Sequence, residues 1–197
     1  MERTIRQTGQ KILLNKPEKN ETEKKVLQGK ALHILELNEY MKTIPEFKGA
    51  HYLNELSNFS FPSEKLWGLI ILLPPPTPNG KNVGHFIAMV FDTLLYHEID
   101  FFDSFGRDPF QLKIGPEICK FIARFLLEKK PLLLLKMKVN TLKKQFESEA
   151  RCGTACVQFL LDRLFNKKTF KEATGFSRKK MLNKEEEIIE KTKFLEI

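Results

Sequence analysis

The sequence has few cysteines and no apolar run long enough to cross a membrane. Its 197 residues include only Cys119, Cys152 and Cys156, so at least one thiol lacks an intramolecular partner. The opening segment, MERTIRQTGQ, lacks the apolar stretch of a secretory signal peptide. The longest apolar runs, 67–73 and 132–135, are far shorter than the roughly 20 residues that span a bilayer. We therefore expect a soluble, non-secreted protein in a reducing compartment.

The remaining composition is that of a compact basic protein. Hydrophobic residues make up 42% of the chain, which is enough for one core at this length. The formal net charge of +8 attracts polyanions such as nucleic acid, an acidic membrane surface or an acidic protein. The positive net charge bears on which partners the protein meets and carries no information about its fold. We expect a polar N-terminal arm over residues 1–30 and a single domain over residues 31–197.

Apolar residues recur at helical spacing in several segments. The pattern predicts helices over Ala31–Lys42, over Ile114–Lys129 with Pro116 in the first turn, and over Gly153–Phe165. The charged tail Ser177–Ile197 is a further helix candidate. These segments supply the helical part of the expected fold.

Branched and aromatic runs predict strands between the helices. Lys65–Leu73 is a buried strand followed by an exposed proline-rich loop over 74–80, and Leu132–Val139 is another short strand. The runs His85–Phe91 and His97–Asp103 are separated by a short connection and predict a β-hairpin. Helices and strands together predict one α+β domain.

The hairpin brings a histidine and an aspartate close together. Simple antiparallel register about a turn centred near Leu94 sets Phe91 opposite His97, and His85 opposite Asp103. Directly opposed Cβ atoms lie about 4.5–5.5 Å apart, close enough for a carboxylate to fix the tautomer of an imidazole. A slip of one residue would place the two side chains on different faces. The sequence thus predicts a general base with its orienting acid.

Cys152 stands immediately before the predicted helix that begins at Gly153. Exposed N–H groups and the helix dipole at such a position favour the thiolate and can bind an oxyanion. Gln145, seven positions earlier, can return its side-chain amide to the same point as a second oxyanion donor. We assign Cys119 and Cys156 to the core, where free cysteines usually lie.

Each of these residues also has an ordinary structural interpretation. An isolated histidine such as His85 is more often structural than catalytic, and Asp103 with the serine and glycine after it has the composition of a turn. Cys152 alone would be a small buried hydrophobe, and a loop glutamine such as Gln145 is usually solvated. Only their combination favours a catalytic site.

The combination resembles a known enzyme family. The segments 84–86 (GHF), 101–106 (FFDSFG) and 145–153 (QFESEARCG) resemble those of the adenovirus protease, adenain, and its viral and mobile-element relatives. The order His, acid, Gln, Cys is that of the clan that also contains the SUMO-specific proteases. Six residues between glutamine and cysteine are typical of adenain. The resemblance covers about residues 47–165, with 47–49 as a turn region.

The resemblance implies roles and a fold. Cys152 would be the nucleophile, His85 the base, Asp103 the orienter, and Gln145 an oxyanion donor beside the Cys152 backbone N–H. The fold would be a papain-like α+β domain with a small, mostly antiparallel sheet and a central nucleophile helix. The implied activity is cleavage of viral structural precursors beside small residues such as glycine, in the virion or in the host nucleus or cytoplasm. It implies a monomer that needs no cofactor or metal and that DNA stimulates as a polyanion.

Departures from the family pattern limit what is carried over. Phe86 stands where tryptophan is common, and Asp103 replaces the glutamate of adenain. Residues 131–144 lack the cysteine through which an activating peptide is disulfide-bonded, so we expect no such peptide here. Two alternatives stay open: an isopeptidase acting on SUMO or ubiquitin-like proteins, and an inactive basic protein that binds nucleic acid or the capsid.

Overall fold

A computed structural model of the chain describes residues 32–74, 84–145 and 151–175, which form a mixed five-stranded sheet with helices on both faces. The strands are β1 (Phe47–Tyr52), β2 (Leu66–Leu73), β3 (His85–Asp92), β4 (Glu98–Asp103) and β5 (Lys136–Val139). The helices are α1 (Ile34–Met41), α2 (Gly115–Lys129), α3 (Cys152–Leu160) and α4 (Phe170–Thr174). A 3₁₀ turn, Leu53–Asn58, follows β1, and a π turn, Leu161–Phe165, continues α3.

Some predicted segments lie outside the described residues. They are the N-terminal arm over 1–30, most of the proline-rich loop over 74–80, and the charged tail helix Ser177–Ile197. None of the helices within the described ranges is long and apolar enough to cross a membrane.

The structure confirms five of the predicted elements, with bounds shifted by a few residues: helices α1, α2 and α3, strand β2 and the β3–β4 hairpin. The 47–49 region is not a turn, because it opens strand β1, which pairs in parallel with β2. The sheet, in the order β1-β2-β3-β4-β5, is mixed rather than mostly antiparallel, since β4 and β5 are also parallel.

The predicted strand Leu132–Val139 is a strand only from Lys136 onward. Its partner β4 begins at Glu98, and Glu98 pairs with Lys136. Residues before Lys136 therefore lie beyond the end of β4, and Leu132, Leu133 and Leu134 are exposed. The apolar run predicts burial, but β4 does not extend far enough to pair with it.

The hairpin register differs from the prediction by two residues. Ile87, not His85, lies opposite Asp103, and Phe91 lies opposite Ile99. The connection spans residues 93–97 and is held by Asp92 Oδ1, which accepts hydrogen bonds from the N–H groups of the second and third residues after it. The turn centre thus lies one residue later than predicted. A shift of two keeps His85 and Asp103 on one face, as diagonal neighbours.

Side chains alternate along the central strands into two cores. The odd-numbered residues of β2 and β3 pack with α2, in a cluster that includes Trp67, Met89, Phe91, Phe121 and Phe125. The even-numbered residues pack with α1 and α3, in a second cluster that includes Leu37, Ile70, Val90, Phe159 and Leu160. Because both faces are covered, β2 and β3 are almost fully buried. This rigid centre carries the start of β3 and the end of β4.

A buried ion cluster closes the connection end of the hairpin. Arg163, fully buried in the π turn, donates to Asp100 Oδ2 at 2.5 Å, to Glu98 Oε1 at 3.1 Å and to Asp92 Oδ2 at 3.4 Å. Three carboxylates thus surround one guanidinium, and burial raises the pKa of Asp100 to about 7 against the opposing effect of Arg163. The cluster joins both hairpin strands to the segment that continues α3.

Candidate active site

Three predicted site residues stand at the ends of three different elements. His85 is the first residue of β3, Asp103 the last of β4, and Cys152 the first of α3. Glycine precedes His85, and a Cβ at Gly84 would lie 2.5 Å from the Leu73 carbonyl oxygen. The close approach of β2 and β3 at this point therefore requires glycine.

His85 and Asp103 are hydrogen-bonded. The imidazole Nε2 donates to Asp103 Oδ1 at 2.5 Å, and the carboxylate is fully buried. Burial alone would raise the pKa of Asp103, but the hydrogen bond and positive charge of His85, together with Arg107, lower it below its ordinary value. The acid therefore stays ionised and directs the other ring nitrogen, Nδ1, away from itself.

Asp103 also organises the turn that follows it. Its Oδ1 accepts from the Phe105 N–H at 3.1 Å, and its Oδ2 accepts from the Arg107 N–H at 3.2 Å and from Arg107 Nε at 2.8 Å. The Gly106 N–H donates to the Asp103 carbonyl at 2.8 Å, with Gly106 at a φ of +72°. Asp103 is thus both the turn residue of the ordinary interpretation and the partner of His85.

Asn140 fixes the backbone of Asp103. Its Oδ1 accepts from the Asp103 N–H at 2.8 Å, and its Nδ2 donates to the Asp103 carbonyl at 2.7 Å and to the Leu142 carbonyl at 3.2 Å. The Asn140 side chain is buried, so these bonds are shielded from water. They extend the pairing of β4 beyond the end of β5.

Cys152 and His85 lie close enough that each changes the acidity of the other. Burial would raise the pKa of the thiol, but the bond and charge of His85 and the N–H groups of Phe86 and Gly153 lower it. Burial would lower the pKa of His85, but Asp103 and Cys152 raise it. With Nε2 bound to Asp103, Nδ1 is the nitrogen that serves the thiol. Both shifts act in the direction of a thiolate beside an imidazolium.

The other two cysteines differ from Cys152 and from each other. Cys156 is fully buried, as predicted, and burial raises its pKa well above the ordinary value. Cys119 is exposed on α2, so its assignment to the core is wrong. The core face of α2 is formed instead by Ile118, Phe121 and Phe125, and position 119 points away from it.

Gln145 lies near the end of β4. It is 2% exposed, which excludes the solvated loop glutamine. The residue before it, Lys144, donates its N–H to the Ser104 carbonyl at 2.6 Å, directly after Asp103. Residues 146–150 are outside the described ranges, so the role of Gln145 as an oxyanion donor stays a prediction.

Sequence reasoning did not identify Phe105, Arg107 and Asn140. The Phe105 ring stacks on the His85 ring with centroids 5.0 Å apart, and the Arg107 guanidinium carbon lies 4.6 Å from the Phe105 centroid. The observed register pairs Ile87 with Asp103, and its extension by two residues places Phe105 opposite His85. A sequence prediction made with this register would have identified Phe105. No sequence signal marks Asn140.

Within the described ranges, no group of three or more His, Cys, Asp or Glu side chains is placed to hold a metal ion. Compared with models of protein families the sequence matches none, and no curated protein matches it either.

Proposed function

We propose that this chain is a cysteine endopeptidase in which Cys152 is the nucleophile. The observation that carries the proposal is the grouping of Cys152, His85 and Asp103, in which His85 is hydrogen-bonded to Asp103 at 2.5 Å and lowers the pKa of the Cys152 thiol. A thiol with a lowered pKa, a histidine with a raised pKa and a buried ionised acid are the parts that nucleophilic acyl transfer requires. A purely structural cysteine needs none of them.

The proposed reaction has two halves. The Cys152 thiolate attacks the scissile carbonyl carbon, and the His85 imidazolium gives its Nδ1 proton to the departing amine, which leaves a thioester. Water then attacks the thioester while neutral His85 accepts its proton, and the thiolate is released with the acid product. Asp103 keeps Nε2 protonated throughout and stabilises the imidazolium.

The negative oxygen of each tetrahedral intermediate needs hydrogen-bond donors. Backbone N–H groups at the start of α3 point out of the helix beside Cys152 and are suited to this task. The Gly153 N–H already contributes to the lowered pKa of the thiol. We assign the second donor to the Gln145 side chain, on the basis of its burial and of the family resemblance.

The finer assignment rests on the resemblance to adenain. The helix-borne cysteine, the strand-borne histidine and the acid on the adjacent strand support a papain-like fold of that clan. We therefore propose viral structural precursors, cut beside glycine or another small residue, as substrates, and DNA as a polyanionic stimulator. Cleavage at small residues follows from the family's narrow cleft and not from a described pocket.

The test is cleavage of a panel of diglycine-containing precursor peptides by wild type, Cys152→Ala and Cys156→Ala. We expect Cys152→Ala to lose all cleavage with an unchanged circular dichroism spectrum, and Cys156→Ala to keep most of it. An active Cys152→Ala variant would disprove the assignment. Turnover of a SUMO or ubiquitin C-terminal amide alone would favour the isopeptidase, and no turnover of either would favour the inactive binding protein.

A further inference from the structure

Arg107 contacts both groups that restrain the His85 ring. It donates to Asp103, which bonds the ring at its edge, and it lies over Phe105, which stacks on the ring's face. Arg107 itself follows β4 by four residues and is absent from the set predicted from the sequence.

The two oxygens of the Asp103 carboxylate have different partners. Oδ1 accepts hydrogen bonds from His85 Nε2 and from one backbone N–H, whereas Oδ2 accepts from the backbone N–H and the Nε of Arg107. Holding Oδ2 at 2.8 Å fixes the rotation of the carboxylate about its last bond. Oδ1 is thereby aimed at the imidazole. A guanidinium suits this role because its donors lie in a rigid plane.

The same guanidinium packs on the aromatic partner of the imidazole. Its carbon lies 4.6 Å from the Phe105 centroid, and the Phe105 and His85 rings are inclined by only 29° with centroids 5.0 Å apart. Arg107, Phe105 and His85 thus form a stack beside the Asp103 bond. The stack limits tilting of the imidazole, and the bond limits its rotation.

Loss of Arg107 would act on the thiol through the histidine. Besides Arg107, the charged or titratable groups around the thiol and Asp103 include His85, Cys156, Lys143 and Arg151. His85 is the main cause that lowers the pKa of the Cys152 thiol, and this effect requires the imidazole to face the sulfur. An imidazole that tilts or rotates would leave the thiol with the opposing effect of burial, which disfavours the thiolate.

We propose that Arg107 is a positioning residue that aligns His85 through Asp103 and Phe105 and keeps the Cys152 thiolate accessible at neutral pH. The inference rests on the proposed function, since it assigns Arg107 a part in preparing that nucleophile. A positioning role of this kind predicts a change in the pH dependence of the thiol, which a purely structural role would not alter.

The experiment follows carbamidomethylation of Cys152 by iodoacetamide from pH 5 to 10, mapped by mass spectrometry in the full chain. Arg107→Gln removes the charge and the Nε bond but keeps the backbone N–H bond to Asp103. The Arg107 side chain is 40% exposed, so the change opens no buried cavity. Arg107→Met is the second neutral variant, and its unbranched side chain still covers Phe105. Arg107→Lys keeps the charge but lacks the planar guanidinium and its Nε donor.

Arg124 offers a matched control. Its guanidinium carbon lies 5.2 Å from the Phe61 centroid, and its terminal nitrogens donate to the carbonyls of Leu56 and Phe59. Arg124→Gln therefore removes an arginine that, like Arg107, is partly buried and packs over a phenylalanine ring. The partners given for Arg124 do not belong to the site.

We expect the pH midpoint of Cys152 alkylation to rise by about 0.5–1 unit in Arg107→Gln, Arg107→Met and Arg107→Lys, and to stay near the wild-type value in Arg124→Gln. Unchanged midpoints in both neutral variants would overturn the inference, as would a wild-type midpoint in Arg107→Lys, because charge without the planar guanidinium would then suffice. A wild-type Cys152 without a lowered midpoint would instead overturn the proposed function, so the two failures are distinguishable.

Discussion

His85 donates from Nε2 to Oδ1 of Asp103 across a diagonal of the β3–β4 hairpin, at 2.5 Å. The bond joins the first residue of one strand to the last residue of the next, both set in a sheet that is buried on its two faces. It determines which imidazole nitrogen remains for Cys152. The function proposed for the chain depends on this relationship.

Replacing the acid by its amide tests that dependence. Asp103→Asn keeps a hydrogen-bond acceptor but removes the charge that stabilises imidazolium, so we expect kcat/KM for peptide cleavage to fall by about 10²-fold or more. Asp162→Asn is the control, because Asp162 is also a buried acid, bound by Lys168 at 2.7 Å in the π turn. Equal activity of the two variants would contradict the orienting role of Asp103.

Asn140 provides a prediction about stability. Asn140→Ala leaves the Asp103 N–H and carbonyl without their side-chain partners, and each buried unsatisfied group costs about 1–3 kcal/mol. We expect urea denaturation to show a loss of roughly 2–4 kcal/mol in the free energy of unfolding, with reduced activity in the folded fraction. Asn166→Ala, which removes one partly exposed bond to Asp162, is expected to lose less than about 1 kcal/mol. A similar loss of unfolding free energy in both variants would contradict the role of Asn140 in fixing the backbone of Asp103.

The buried ion cluster predicts how stability varies with pH. The pKa of Asp100 is raised from 3.8 to about 7. Between these two pH values the folded state therefore keeps a proton that the unfolded chain has released. This contribution to stability is complete below about pH 4 and is lost as the pH rises towards and through 7. In Asp100→Asn, the free energy of unfolding from urea titrations should fall less steeply between pH 5 and 8 than in wild type. Parallel pH curves for the two proteins would contradict the assignment.

The sequence was sufficient to predict most of the helices, the hairpin and the contact between His85 and Asp103. Runs rich in branched and aromatic residues indicated β3 and β4, and the position of Cys152 before an apolar helix drew attention to its thiol. The register could not be predicted, because it depends on Asp92 capping a five-residue connection. His85 and Asp103 stayed on one face only because the difference was two residues.

Other features depend on tertiary contacts that no local pattern encodes. The pairing of β1 is irregular between Phe47 and Ala50, and Gly49 has a φ of +94°. A glycine at this position favours a turn when the sequence alone is considered, but here it lies within a strand. The roles of Asn140 and Arg107 arise from partners 37 and four positions away. The Arg163 cluster joins residues more than 60 positions apart. Lone polar residues of this kind have no periodicity to identify them.

The most direct test of the central claim is the rate at which iodoacetamide alkylates Cys152 at pH 6, measured against Cys119 in the same molecule. Cys119 is exposed and provides an internal reference thiol. With His85 holding the Cys152 thiolate, we predict that Cys152 reacts at least about 10-fold faster than Cys119, and that His85→Ala abolishes the difference. Labelling of Cys119 alone, or equal rates in the wild type, would contradict the account.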